Sequence, residues 1–156
     1  MRENMGLYRG KRKDNGEWVY GYYFERKDTQ GNIIESIIIV DAYEQITGGQ
    51  RYVRSNLNYE CFRVDPETVG MCSGVPDKHG NLIYEDDFVR INEDVKETFV
   101  RVEDGPVRFS RGGFFVNNYG DILSSFDVIA DFRGVLRGEV IGNIRDNPEL
   151  LLEVCK

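Results

Sequence analysis

The sequence predicts a mainly β protein made of two small β-rich parts, the C-terminal one a small barrel or sandwich, with one short C-terminal helix. Short runs of alternating or β-branched apolar residues, separated by turn residues, support this fold class. No long amphipathic helical pattern competes with them. A chain of 156 residues with 40% apolar residues can bury a core, and its 12% aromatic content argues against disorder.

Two strands dominate the N-terminal part. In residues 17–25, "EWVYGYYFE", alternate positions place four aromatic side chains on one face of a strand: Trp18, Tyr20, Tyr22 and Phe24. Residues 33–40, "IIESIIIV", form a β-branched run that is typical of a central strand. Between residues 41 and 57 the pattern weakens at Gly48 and Gly49, which predicts a loop or irregular structure.

The segment "DPETVG", residues 65–70, separates the two parts. An Asp followed by a Pro predicts a type I turn or the first turn of a helix. We place the boundary just after it, which gives an N-terminal domain at 1–70 and a C-terminal domain at 71–156. A similar device, "DNPELL" at 146–151, predicts the short C-terminal helix, because Asn can cap the first amides and Pro fits the first helical position.

The C-terminal part consists of further short strand patterns joined by tight turns. These segments are "NLIYEDDFVRI", "TFVRVE", "VRFS", "GFFVNN" and "GEVIGNI". Residues 122–132, "ILSSFDVIADF", fit either one face of a helix or a strand. Several short strands with tight turns are typical of a small closed barrel or a sandwich.

The charge balance disfavours nucleic acid as a partner. Twenty Lys and Arg residues against 27 Asp and Glu residues give a net charge of -7, which repels phosphate. The three cysteines include no C-x-x-C pair, which favours reduced thiols and a cytoplasmic protein. The N-terminus "MRENMGLYRG" lacks the apolar run of a signal peptide, and no apolar run is long enough to cross a bilayer, so no membrane partner is expected.

Four stretches, in order along the whole chain, resemble the YopX family of phage and prophage proteins. They are "YRGKRKDNGEWVYGYYF", "DPETVG", "GVPDKHGNLIYEDDFVRI" and "EVIGNIRDNPELL". The third is similar to the family pattern G-x-x-D-K-x-G-x-x-I-Y-E-G-D-x-V, whose matching positions here are Gly74, Asp77, Lys78, Gly80, Ile83, Tyr84, Glu85, Asp87 and Val89.

The resemblance implies a two-part, β-rich, self-associating protein and names no reaction. One position departs from the family pattern, because the usual E-G-D is Glu85-Asp86-Asp87 here. Glycine at such a position often supplies a left-handed backbone angle, and Asp tolerates the same angle at modest cost. We therefore expect the bend to survive the change.

The candidate catalytic groups favour structural roles. His79 lies among the turn residues of "DKHGN", and there is no second histidine to pair with it. The acids 85–87 could bind a cation or divide acid and base roles, but adjacent side chains on a strand point to opposite faces. The Gly pairs 48–49 and 112–113 lack the spacing of a phosphate-binding loop. No catalytic residue, metal or cofactor is therefore predicted.

The aromatic strand is the candidate binding site. Its four aromatic residues could stack bases, as in proteins that bind single strands, but such platforms usually lie in basic grooves and this chain is acidic. A place in the core or in a subunit interface is favoured instead.

These observations predict a non-enzymatic phage or prophage accessory protein that forms homo-oligomers and binds other macromolecules, such as a host or phage protein. The alternative is a nucleic-acid-binding protein that uses its C-terminal barrel, where several arginines could cluster: Arg90, Arg101, Arg108, Arg111 and Arg133. A weaker alternative is an enzyme that uses the acids 85–87, in which Asp87→Asn would abolish a metal-dependent activity.

Overall fold

The computed structural model describes residues 7–46, 55–98, 103–110, 112–117, 123–125, 130 and 133–153. The chain divides into two compact units, Met1–Val69 and Gly70–Lys156. Both units consist mainly of antiparallel strands, so the predicted mainly β fold class is confirmed.

The first unit contains four antiparallel strands in the spatial order β4-β3-β2-β1. Their bounds are β1 (Tyr8–Lys11), β2 (Trp18–Lys27), β3 (Ile33–Ile46) and β4 (Ser55–Arg63). Strand β3 is longer than the sequence predicted. Irregular structure was expected from Asp41 onward, but the ladder with β4 resumes after a register shift between Val40 and Tyr43 and continues to Ile46. Residues 47–54, with Gly48 and Gly49, lie outside the described residues.

The residues that directly follow β1 and β4 contact each other. Arg12 bridges Val64, and the amide of Lys13 donates to the carbonyl of Arg63 at 2.9 Å. The inner face buries Ile38 and Val64 completely. Glycine at position 21 permits the close approach of β3, because a Cβ there would lie 2.1 Å from the carbonyl oxygen of Ile39.

A short 3-10 helix, Pro66–Thr68, ends the first unit. The side chain of Asp65 accepts a hydrogen bond from the amide of Glu67 at 3.1 Å, as expected for a helix cap. The hydroxyl oxygen of Thr68 accepts a hydrogen bond from the amide of Lys11 at 2.8 Å. The helix is thereby tied to strand β1.

The second unit contains a hairpin and a five-stranded antiparallel sheet. The hairpin consists of β5 (Gly70–Pro76) and β6 (Leu82–Tyr84). The sheet has the order β10-β9-β8-β7-β11. Its strands are β7 (Asp87–Ile91), β8 (Gly105–Ser110), β9 (Gly113–Asn117), β10 (Leu123–Ser125) and β11 (Gly138–Asn143). The core of this unit is formed by Ile83, Val89, Ile91, Val95, Val107, Val116 and Leu136.

Two short helices belong to the second unit. The predicted C-terminal helix is confirmed as α2 (Leu150–Glu153), but it begins two residues after Pro148, the expected first helical position. The helix α1 (Glu93–Thr98) was not predicted, and it carries Val95 into the core. The strand expected for "TFVRVE" therefore cannot begin at Thr98, and residues 99–102 lie outside the described part. In the ambiguous segment 122–132, the described residues Leu123–Ser125 form a strand.

One turn sequence, D-x-x-G-N, occurs twice. In the β2–β3 hairpin, the Asp28 side chain accepts hydrogen bonds from the amides of Gln30 at 2.8 Å and Asn32 at 2.9 Å. In the β5–β6 hairpin, the Asp77 side chain accepts them from the amides of His79 at 2.9 Å and Asn81 at 2.8 Å. The glycine of each turn has a positive φ of 88°, which this residue adopts without steric cost.

Candidate interaction surface

Strand β2 carries the four predicted binding residues on its outer face, opposite to Ile38 and Val64. We call Trp18, Tyr20, Tyr22 and Phe24 the aromatic row. The exposed fractions are 46% for Tyr20, 57% for Tyr22 and 56% for Phe24, whereas Trp18 is half-buried. This exposure excludes the core for three of the four residues. Their assignment to a subunit interface stays a prediction.

Cations lie over the Trp18 end of the aromatic row. The register of β1 and β2 places Arg9 opposite Tyr20 and Lys11 opposite Trp18. The guanidinium carbon of Arg9 lies 4.7 Å from the centroid of the Trp18 ring, and Nζ of Lys11 lies 5.4 Å from it. Both distances are within the range of cation–π attraction, which fixes the indole ring against the sheet.

Two arginines share one carboxylate at the Phe24 end. Nε of Arg26 lies 2.9 Å from Oε2 of Glu35, and Arg63 also forms an ion pair with Glu35. Burial by itself raises the pKa of Glu35, but Arg26 and Arg63 outweigh it, so the pKa lies below its usual value. The side chain of Glu35 is only 13% exposed, whereas Arg26 is 57% and Arg63 is 74% exposed. This trio therefore presents an excess of positive charge to solvent.

Aliphatic side chains flank the middle of the aromatic row. Strand β3 places Ile39 opposite Tyr22 and Ile37 opposite Phe24, and both isoleucines are half-buried. Cross-strand neighbours of this kind hold aromatic side chains upright on a sheet. The outer face of β2 and β3 is therefore a continuous apolar strip.

On the inner face of the sheet, contacts of Tyr23 fix strand β2, which carries the aromatic row on its outer face. The Tyr23 ring packs against Tyr8 with ring centroids 5.7 Å apart, and its hydroxyl lies 3.0 Å from Oγ of Ser36. Burial raises the pKa of Tyr23, so the phenol stays protonated and can donate a hydrogen bond. These contacts fix the register and direction of the neighbouring side chains in the row.

The family-motif residue Asp77 is buried, with 1% of its surface exposed, and its carboxylate connects two parts of the second unit. Besides the two turn amides, its carboxylate accepts a hydrogen bond from the amide of Val140 in β11 at 3.2 Å. Burial would raise the pKa of Asp77, but the hydrogen bonds from Val140 and Asn81 outweigh it and lower the pKa. Asp77 therefore joins the hairpin turn to β11.

Its neighbours in the motif make further contacts with β11. The amide of Lys78 donates to the carbonyl of Gly138 at 3.0 Å, and Nζ of Lys78 lies 3.2 Å from Oε2 of Glu139. Nε2 of His79 lies 3.0 Å from the same carboxylate oxygen, on an exposed surface. Gly74 and Gly80 have positive φ angles of 72° and 88°. The structure places His79, the one histidine of the sequence, in a turn, where its ring contacts the Glu139 carboxylate.

The remaining motif residues build the turn into β7. Ile83 and Val89 are fully buried, and the amide of Tyr84 donates to the carboxylate of Asp87 at 2.8 Å. Asp86 has a φ of 70°, so the expected left-handed bend is present at this position although it is not a glycine. This is the one described non-glycine residue with a positive φ.

The acids 85–87 have separate partners. The Asp86 carboxylate lies between Arg108 and Arg145, with Nε of Arg145 2.9 Å from Oδ2. The Glu85 side chain accepts a hydrogen bond from the amide of Phe109 at 3.4 Å. Within the described part of the chain, no group of three or more His, Cys, Asp or Glu residues could hold a metal ion. The ion pairs of Asp86 with Arg108 and Arg145 were not predicted, because their only signal in the sequence is the departure from the family's glycine.

The arginines of the C-terminal alternative have different surroundings. Arg108 is paired with Asp86, whereas Arg90 and Arg133 are exposed. Arg101 and Arg111 lie outside the described residues. No described helix is long and apolar enough to span a membrane.

Comparisons with known proteins identify relatives of this chain. The family model described as YopX protein matches residues 7–152. The chain is also similar to the crystal structure of protein EF1440 from Enterococcus faecalis, with a TM-score of 0.53 and 22% identity over 93% of this chain and 96% of that one. At this identity the likeness shows the fold alone. No curated protein is similar enough to count as a match.

Proposed function

Because the chain belongs to the YopX family, we propose that it is a cytoplasmic phage or prophage accessory protein that acts by binding macromolecules and not by catalysis. The observation that carries this proposal is the aromatic row, in which Tyr20, Tyr22 and Phe24 are exposed side by side on one strand. Monomeric proteins rarely expose contiguous apolar patches larger than a few hundred Å², and aromatic residues are enriched at interfaces.

The strand that carries the aromatic row supports a preformed binding surface. Strand β2 is paired with β1 on one side and with β3 on the other. Aromatic side chains have few rotatable bonds, so ordering them on binding costs little conformational entropy. A partner would meet side chains that already point outward.

Three aspartates within the segment 74–89, which contains the family motif, support a non-enzymatic role. Asp77, Asp86 and Asp87 are buried at 1%, 6% and 3% exposure, and each accepts hydrogen bonds or ion pairs from its own unit. A catalytic acid or base must reach a substrate proton. In this protein these carboxylates hold turns and strands together.

A second apolar feature supports self-association. The inner face of β8 and β9 runs from the buried Val107 and Val116 to Phe109, which is 43% exposed and packs against Phe114 with ring centroids 5.1 Å apart. An apolar core face that continues into solvent is suited to contact with a second copy of the chain. We assign the contact between copies to Phe109 and Phe114.

Binding through the aromatic row is tested by affinity capture from host-cell lysate without nuclease treatment, followed by identification of both proteins and nucleic acids. The bait is the wild type, the double variant Tyr22→Ser/Phe24→Ser, or the control Leu152→Ser, whose side chain is 69% exposed on α2. The proposal expects a partner that is retained by the wild type and Leu152→Ser and lost by the double variant. Equal recovery by all three baits would refute a role for the row.

Self-association is tested by light scattering coupled to size-exclusion chromatography. The wild type is expected to elute with at least twice the mass of one chain, and Phe109→Ser with the mass of one chain. Tyr22→Ser serves as the control and should keep the wild-type mass. A wild type that stays monomeric at high concentration would remove self-association from the proposal.

A further inference from the structure

We propose that the aromatic row binds single-stranded nucleic acid, with bases stacked on Tyr20, Tyr22 and Phe24 and phosphates held by Arg26 and Arg63. This inference rests on the proposed function, because it names the partner of the same surface. It also reverses the expectation drawn from the net charge of the whole chain.

The spacing of the aromatic row suits an extended strand of nucleotides. Alternate residues on a β-strand are about 6.6 Å apart and point to the same side. Tyr20, Tyr22 and Phe24 follow this spacing and are the exposed members of the row. Each ring can therefore receive a different base, and base–aromatic stacking tolerates any sequence because every base has a π-face.

The charge next to the row is positive although the chain carries -7 overall. Arg26 and Arg63 share the single carboxylate of Glu35, so the trio has a net charge of +1. The side chains of Arg26 and Arg63 are 57% and 74% exposed. Their guanidinium groups can therefore contact a phosphate and keep the ion pair with Glu35. Phosphate attraction acts over about a Debye length, so this local balance weighs more than distant acids.

Other occupants fit this surface less well. A second copy placed face to face would bring its own Arg26 and Arg63 toward the same cationic surface, and like charges across an interface are costly. A duplex keeps its bases stacked inside, where the rings of the row cannot reach them. An acidic protein satisfies the arginines but makes no use of three separate, evenly spaced rings. A single strand uses both the rings and the charges.

Fluorescence anisotropy with a labelled 15-nucleotide oligothymidylate tests this inference at several salt concentrations. Tyr22→Ala is expected to weaken binding about 5- to 100-fold, whereas Tyr22→Phe, which keeps the ring, should bind like the wild type. Arg63→Gln is expected to reduce the slope of log affinity against log salt by about 0.7, the value for one lost phosphate contact on a single strand. Leu152→Ala is the control and should change neither quantity. Thermal unfolding of each variant confirms that it is folded.

The outcomes separate this inference from the proposed function. Oligonucleotide binding that depends on Tyr22 and Arg63 as described supports it. No binding by the wild type at low salt, or equal binding by wild type and Tyr22→Ala, overturns it. If the capture experiment then recovers a protein that needs the row, the proposed function stands and only the nucleic-acid assignment fails. If the capture experiment recovers no partner whose binding depends on the aromatic row, both the proposed function of the row and the nucleic-acid assignment fail.

Discussion

Asp77 accepts a hydrogen bond from the backbone amide of Val140, 3.2 Å away and 63 residues further along the chain. Through this contact, one buried carboxylate joins the turn of the β5–β6 hairpin to strand β11. The D-K-x-G segment of the family motif therefore has a structural explanation. This segment holds the second unit together, so substitutions in it should change the free energy of unfolding of that unit.

Asp77→Ala should strongly destabilise the second unit. The change leaves the amides of His79, Asn81 and Val140 without their acceptor. His79 and Asn81 are exposed and Val140 is half-buried, and a donor left unsatisfied away from water costs about 1–3 kcal/mol. We expect a loss of about 3 kcal/mol in the free energy of unfolding, measured with urea. Asp28→Ala is the matched control, because it breaks the same turn at a half-buried site where the described residues show no contact like that with Val140. An equal loss in both variants would contradict the role of β11.

The dependence of the free energy of unfolding on pH at acidic pH should reflect the ionisation of Asp77. Its pKa lies below the ordinary value of 3.8 because the hydrogen bonds to its carboxylate outweigh the effect of burial. A carboxyl group with a lowered folded-state pKa contributes stability above its unfolded pKa, and the contribution is lost as pH falls through the folded pKa. The free energy of unfolding of the wild type should therefore decrease as the pH is lowered below about 4, the ordinary pKa range of Asp. Asp77→Asn should be less stable at pH 7 and lose less on acidification, and parallel profiles for the two proteins would argue against this assignment.

Asp86 combines a strained backbone angle with two ion pairs, and substitutions can separate the two effects. Asp86→Gly relieves the positive φ but removes the partner of Arg108 and Arg145. Asp86→Ala removes the carboxylate and keeps the strain, so it should be about 1 kcal/mol less stable than Asp86→Gly. Thermal and urea unfolding of the three proteins measure the order. A glycine variant as stable as the wild type would mean that the two ion pairs of the buried Asp86 contribute no more than the strain that glycine relieves.

Gly21→Ala should disrupt the pairing of β2 with β3. An added Cβ would lie 2.1 Å from the carbonyl oxygen of Ile39, and a backbone atom cannot move aside as a side chain can. We expect destabilisation of about 1–3 kcal/mol, as for other overpacked sites. Gly113→Ala is the control, because the nearest atom to its Cβ is a side-chain carbon at 3.6 Å. Equal effects of the two changes in urea unfolding would show that the close approach is not what requires glycine at position 21.

Local patterns in the sequence predicted most of the strands and turns, and long-range contacts account for what they missed. The alternation of aromatic residues in 17–25 predicted which side chains share the outer face of β2. The tolerance of Asp for a positive φ angle predicted the bend at Asp86. Helix α1 was missed because it is short and offers only Val95 to the core. The pairing of Arg26 and Arg63 with Glu35 depends on the register of three strands, which composition and net charge do not encode.

The two D-x-x-G-N turns offer different opportunities for attachment. Thr29 and Gln30 are exposed at the tip of the β2–β3 hairpin, whereas Lys78 and His79 contact Glu139. A peptide tag or a dye inserted between Thr29 and Gln30 would be displayed at the tip with the contacts of the second unit intact. The same insertion between Lys78 and His79 would separate the hairpin from β11. The first turn is therefore the place to immobilise or label this protein for single-molecule work.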